Sequence, residues 1–184
     1  MQFGLSAVSA AALLMGTASA NCLNDGAAYQ VAQNFAGLFS RFTPQYTDSV
    51  LTPDFQDQSD TVNWLMSNGS GCPKQLGQLT EANRADFIRD QSTQPNMPFV
   101  IENVWHDCTN VFTRWKFDIQ PQQVQGIAVL GTVYSGNPEQ PYLIQHVFSE
   151  FNSGAFLVDR GDYVPTPPAG CPGGPAAGSD DSCQ

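Results

Sequence analysis

The stretch Phe99-Val-Ile-Glu-Asn-Val-Trp-His-Asp-Cys108, followed by Thr109-Asn110 and then Val111-Phe-Thr-Arg-Trp-Lys-Phe-Asp118, decides the fold class. It is rich in β-branched and aromatic residues, opens behind Pro98 and carries a short turn signal in its middle, so it predicts two strands joined by a hairpin. Downstream, Val124 to Ser135 and Tyr142 to Phe151 read as longer strands. Asn152-Ser153-Gly154 reads as a turn into a final strand, Ala155 to Arg160. Upstream the period changes. Ala28, Val31, Ala32, Phe35, Leu38, Phe39 and Phe42 make a helical stripe behind a cap at Asn24 or Asp25, with Pro44 just past its end. Shorter helices are expected over Tyr46 to Leu51, from Ser59 or Asp60 through Val62, Leu65 and Met66, and after Thr80 with Ala82, Ala85 and Ile88 inward. Helices first and strands second is the order of an α+β domain, with helices on one face of an antiparallel sheet and a pocket favoured between the layers.

The ends of the chain read differently. An apolar run from Leu5 to Met15 leads to the small-residue site Ala18-Ser19-Ala20, so residues 1–20 read as a secretory signal peptide. That run is shorter than the roughly twenty residues of a membrane span, and no later segment approaches such a length, so no membrane partner is expected. The segment 21–163 suits a single domain. The remainder, 164–184, is dominated by Pro, Gly, Ala and Ser and is expected to be disordered.

Seventeen acidic residues against seven basic ones give a net charge of −10. The basic residues are scattered, which argues against nucleic acid, whose phosphates need clustered Lys and Arg. Secretion into an oxidising compartment makes disulfides the expected use of Cys22, Cys72, Cys108, Cys171 and Cys183, an odd set that leaves one unpaired. There is no Cys-x-x-Cys pair and there are only two histidines, so no metal site is expected. Asn68-Gly69-Ser70 is a glycosylation sequon among turn-forming residues.

With its long first helix, Val104-Trp-His-Asp-Cys108, Arg114-Trp115 and Glu150-Phe-Asn-Ser-Gly154, the chain from Cys22 to Gly161 resembles the secreted fungal branch of the nuclear-transport-factor-2-like, SnoaL-like superfamily. The resemblance implies a cone: a strongly curved antiparallel sheet wrapping the long N-terminal helix and two or three shorter ones around a cavity open at one end. Ketosteroid isomerase and scytalone dehydratase carry out acid-base chemistry in such a cavity without a cofactor, whereas the namesake transport factor binds a protein. The resemblance also implies a homodimer through the outer sheet face and a Cys22–Cys108 disulfide. Cys72 is left with Cys171 or Cys183, or those two with each other.

Strand alternation sorts the polar candidates. Glu102, Arg114, Lys116 and Asp118 fall opposite Ile101, Trp105, Val111, Trp115 and Phe117, so the charged set reads as an outer face where opposite charges pair across strands. His106 shares the parity of Glu102 and is placed outside. Asn103 shares the inward parity of Trp105 and is a candidate polar anchor among the aromatic candidates Phe35, Phe39, Trp64, Phe99, Trp105, Trp115 and Phe117, although aromatics at such spacing also simply fill cores. For Tyr142 to Phe151 both faces are mixed. If His146 and Glu150 faced the cavity, they would stand about 6 to 7 Å apart on one face and could move protons near neutral pH. Asp54, Asp57 and Asp60 recur at spacing three; Asp57 or Asp60 entering an apolar cone could act as a general base, and the ordinary alternative is helix capping or loop solvation.

These observations lead to the expectation of a secreted protein whose cavity takes a small apolar or aromatic molecule, with Asn103, Trp105, Trp115 and Phe39 as ligand-binding residues. A cofactor-independent lyase or isomerase using Asp57, Asp60 or His146 is the catalytic alternative. An extracellular module that binds protein through its outer sheet face is the third. No serine-hydrolase elbow, phosphate loop or dinucleotide fingerprint supports another chemistry.

Overall fold

The computed structural model describes residues 21–65 and 76–166. Its elements are α1 (Asp25–Ser40), α2 (Pro44–Val50), β1 (Leu51–Gln58), α3 (Asp60–Leu65), α4 (Arg84–Gln91), β2 (Phe99–His106), β3 (Asn110–Phe117), β4 (Val124–Tyr134), β5 (Tyr142–Phe151) and α5 (Ser153–Asp159). The five strands form one curved sheet in the order β1-β5-β4-β3-β2, antiparallel from β2 to β5. β1 joins the edge in parallel with β5, pairing Leu51 with Ile144 and Gln58 with Phe148.

α1 forms because Asn24 caps it, its side chain accepting from the Ala27 amide at 2.9 Å, and because Ala28, Val31, Ala32, Phe35 and Leu38 share one buried stripe. That stripe packs on the inner sheet face, against Val111, Trp115, Leu130 and Ile144. Thr43 caps α2, and Pro44 sits in its first turn, where no amide hydrogen is needed. The Cys22–Cys108 disulfide joins the start of α1 to the end of β2, and the Leu23 amide donates to the Cys108 carbonyl beside it at 3.0 Å.

Four expectations need correction. The first half of the chain is not helices alone, since the acidic segment Asp54 to Gln58 is part of a strand; Leu51, Thr52 and Phe55 are buried, and Pro53 is tolerated because β1 lies on the edge. The apolar run after Asn152 is helix α5 rather than a final strand, because the Asn152 side chain accepts from the Ala155 amide at 3.1 Å and caps it. In α4 the cap is Asn83, which leaves Ala82 outside the helix; Phe87 and Gln91 turn inward while Ala85 is exposed.

The fourth correction is to strand parity. A bulge between Ile101 and Asn103 puts an extra residue into β2 and exchanges its faces beyond that point. Phe99 and Ile101 face the helices as expected, but then Val104 and His106 turn inward and Asn103 and Trp105 turn out. A second irregularity, at Gln145 between Ile144 and His146, resolves the mixed faces of β5: Tyr142, Ile144, Val147, Ser149 and Phe151 lie inside, and His146, Phe148 and Glu150 outside.

Among the described residues no helix is long and apolar enough to cross a membrane. The expected signal peptide, the sequon at Asn68, the three cysteines Cys72, Cys171 and Cys183, and the tail from residue 167 on lie outside the described residues.

Candidate functional site

Between the inner sheet face and α1, α3, α4 and α5 the chain leaves a cavity of about 200 Å³. Among the described residues, eight aromatic side chains form the larger part of its apolar wall. Phe35 and Phe39 come from α1, Phe87 from α4, Phe99 from β2, Trp115 and Phe117 from β3, Phe151 from β5 and Phe156 from α5. Phe99 is the centre of this array: it stacks on Trp115 at 4.6 Å and on Phe39 at 5.2 Å, and meets Phe117 edge to face at 5.2 Å. Each such ring pair is worth about 0.5–1.5 kcal/mol beyond its burial.

Polar side chains complete the wall. Asp57, near the end of β1, and Glu81 exchange backbone hydrogen bonds, Asp57 N–H to Glu81 O at 3.0 Å and Glu81 N–H to Asp57 O at 3.2 Å. Residues facing one another in such an antiparallel bridge project side chains to the same side, and both residues line the cavity. Asp90 and Gln91 of α4 line it too, as does Arg160 just after α5, whose guanidinium sits 5.8 Å over the Phe156 ring and 2.9 Å from Asp162. Gln91 is buried, and its Nε2 has no hydrogen-bond acceptor among the described residues.

Of the residues singled out from the sequence, Phe35, Phe39, Phe99, Trp115, Phe117 and Asp57 line this cavity. Asn103 and Trp105 stand on the opposite sheet face because of the β2 bulge, and Trp64 is likewise exposed. Asp60 points away: its Oδ1 accepts from the Gly77 amide at 2.6 Å, at the start of α3, while Ser59 caps that helix through the Val62 amide at 3.1 Å. His146 lies on the outer face in a shallow depression with Gln56, Gln58 and Leu79. Glu150 shares that face but caps α3, accepting from the Asp60 amide at 2.8 Å, the Thr61 amide at 2.9 Å and the Thr61 hydroxyl. The imagined proton pair is therefore a histidine in one depression and a carboxylate committed to a helix end.

His106 is also displaced from its expected place. It faces inward at the foot of α1, with Nε2 3.0 Å from Asp25 Oδ1 and Nδ1 3.0 Å from the Asp107 carbonyl. Those two acceptors, the carbonyl first, raise its pKa. Asp107 is held below the usual carboxylate range by the Asn110 side chain and then by the Thr109 and Asn110 amides, and Asp54 by Thr52 and then Gln145.

Sequence reasoning missed Glu81, Asp90 and Gln91. Glu81 enters the cavity only because it bridges Asp57, a pairing that no local pattern announces. Asp90 and Gln91 would have been found had Asn83 been read as the helix cap, since it sets which face of α4 turns inward.

A family profile described as an NTF2-like domain matches residues 21–163. The chain belongs to this family. The NTF2-like assignment agrees with solved structures. Nuclear transport factor 2 from Cryptosporidium parvum superposes with a TM-score of 0.51 at 14% identity, covering 70% of this chain and 94% of that one. A hypothetical protein of ketosteroid isomerase-like fold from Catenulispora acidiphila, solved in complex with trimethylamine, superposes with a TM-score of 0.52 at 12% identity, covering 74% and 98%. At such identities the likeness is one of fold. No curated protein sequence matches the chain. Among the described residues no group of three or more His, Cys, Asp or Glu is placed to hold a metal ion.

Proposed function

We propose that this NTF2-like protein is secreted and binds a small apolar or aromatic molecule in its cavity. The observation that carries this reading is the wall itself: eight aromatic side chains converge on a void of about 200 Å³ instead of closing it. Apolar walls with a few polar groups are the usual make-up of small-molecule sites. The trimethylamine complex of the Catenulispora protein supports binding of small organic molecules by this fold. The test is native mass spectrometry of the protein secreted by its own source, followed by denaturing extraction. A reproducible small molecule released on unfolding is expected; a mass equal to the mature chain with its disulfides and glycan defeats the reading.

Catalysis is supported by a separate observation, the placement of Asp57 and Glu81 side by side at the aromatic wall. A carboxylate against aromatic rings is the setting in which a general base for proton abstraction works, and a lyase or isomerase of this kind needs no metal or organic cofactor. The test uses the compound extracted above. Asp57→Asn and Glu81→Gln are expected to abolish its turnover, and full turnover in both variants refutes the acid-base role.

A further inference from the structure

The hydrogen-bond donors around the cavity are not equally engaged. The Thr80 hydroxyl meets the Ser59 carbonyl at 3.3 Å, Gln94 Nε2 donates to the Thr93 hydroxyl at 3.2 Å, and Arg160 Nε lies 2.9 Å from Asp162. Gln91 differs. It ends α4, four residues beyond Phe87 and so on the same inward face, and is only 8% exposed, yet its Nε2 has no acceptor among the described residues. A buried amide nitrogen of this kind is stabilised by whatever supplies the missing acceptor. Trp115 Nε1 is likewise buried without an acceptor, but its ring is held in place. It stacks on Phe99 at 4.6 Å and presses on Gly126, where an added Cβ would lie 2.6 Å from Cε2, the carbon next to that nitrogen. The Gln91 carboxamide turns about its last torsion, which is broad and roughly two-fold for glutamine, so its N–H groups swing to the void that the residue lines.

We infer that Gln91 is the specificity-determining residue of the cavity and that it selects an apolar molecule bearing one neutral acceptor oxygen, a carbonyl or an ether. This rests on the small-molecule reading of the cavity and narrows it. Nε2 donates to that oxygen while the aromatic rings enclose the apolar body. A hydrocarbon of the same shape would seal the amide in with no acceptor, and burying a polar group unpaired is costly. Charge decides that the oxygen is neutral. Among the described residues Asp57, Glu81 and Asp90 line the wall against Arg160, which already faces Asp162, so a ligand carboxylate would meet three acids and one engaged base. Holding the ligand is a separate task from the acid-base role given to Asp57 and Glu81, and either can fail alone.

The experiment is ligand-detected NMR titration of the full chain with acetophenone, with ethylbenzene, which lacks the oxygen, and with phenylacetate, which carries a charged one. Acetophenone is expected to bind at least about tenfold more tightly than either of the others. Gln91→Leu and Gln91→Met, the second unbranched like the native side chain, are each expected to bring acetophenone and ethylbenzene within about twofold of each other. Neither variant is expected to lower the melting midpoint, because Nε2 gives up no hydrogen bond when it is removed. A preference for acetophenone that survives in both variants overturns the assignment to Gln91. A midpoint lowered in both marks the amide as structural and overturns it too. Equal affinity of the native chain for acetophenone and ethylbenzene leaves the cavity as a binding site but overturns the choice of oxygen, and tighter binding of phenylacetate overturns its neutral character. Binding of none of the three defeats the cavity reading and this inference with it.

Discussion

His106 Nε2 stands 3.0 Å from Asp25 Oδ1, tying the end of β2 to the start of α1, while its Nδ1 faces the Asp107 carbonyl at the same distance. Both partners are acceptors, so both contacts are hydrogen bonds only when the ring carries two protons. The folded-state pKa is accordingly raised above the ordinary value of 6.5. A raised pKa means that the stabilisation is fully present below the unfolded value and is lost as pH rises through the folded one. Relative to His106→Asn, the native chain is expected to melt higher at about pH 5 and to lose that advantage as pH rises above 6.5 and through the raised folded-state pKa. Thermal unfolding of the two proteins across this range checks it; a constant difference removes the charged histidine from the account.

The carboxylate of Glu150 serves two backbone amides at the start of α3, from a strand remote in sequence. Glu150→Ala is expected to destabilise the fold by about 1 kcal/mol, the usual cost of losing a helix cap. Glu150→Gln, which keeps an acceptor oxygen, should cost less. Urea midpoints rank the three proteins.

A Cβ at Gly126 would meet the Trp115 ring and come within 2.8 Å of the Glu150 carbonyl oxygen. Neither neighbour is a flexible chain end. Gly126→Ala is therefore expected to cost about 1–3 kcal/mol, the range for overpacking a core. A shifted Trp115 emission accompanying the lost stability would place the strain at the cavity wall.

The Cys22–Cys108 bond spans 86 residues of sequence. Replacing both cysteines by serine is expected to lower stability by about 4.6 kcal/mol on the chain-entropy estimate. Urea unfolding of the double variant measures the loss, and a difference under about 1 kcal/mol would mean that the bond adds little to what α1 already makes with β2.

Fold class, the first helix and the hairpin of Phe99 to Asp118 could be read directly, because periodicity and caps are local signals. Trp115 was placed correctly because β3 has no irregularity, whereas Trp105 and Asn103 were misplaced because a one-residue bulge exchanges every face beyond it. The strand β1 was hidden by its acidic composition and by a partner far along the chain. The short apolar run of α5 fits strand or helix equally well until the bond from Asn152 to Ala155 is seen. For the cavity, the aromatic walls were legible from Phe39 and Trp115, but its carboxylate corner arises from the tertiary bridge between Asp57 and Glu81.

The parallel seating of β1 against β5 also orders events in time. Leu51 finds Ile144, and the start of α3 finds Glu150, only after nearly the whole domain has been synthesised. Until then the edge of β1 and the helices around it have no sheet to complete, and their closure is paid in loop entropy that slows folding. Asp57 stands on this same strand, so the carboxylate corner meets the β5 part of the cavity wall only once β5 has been made.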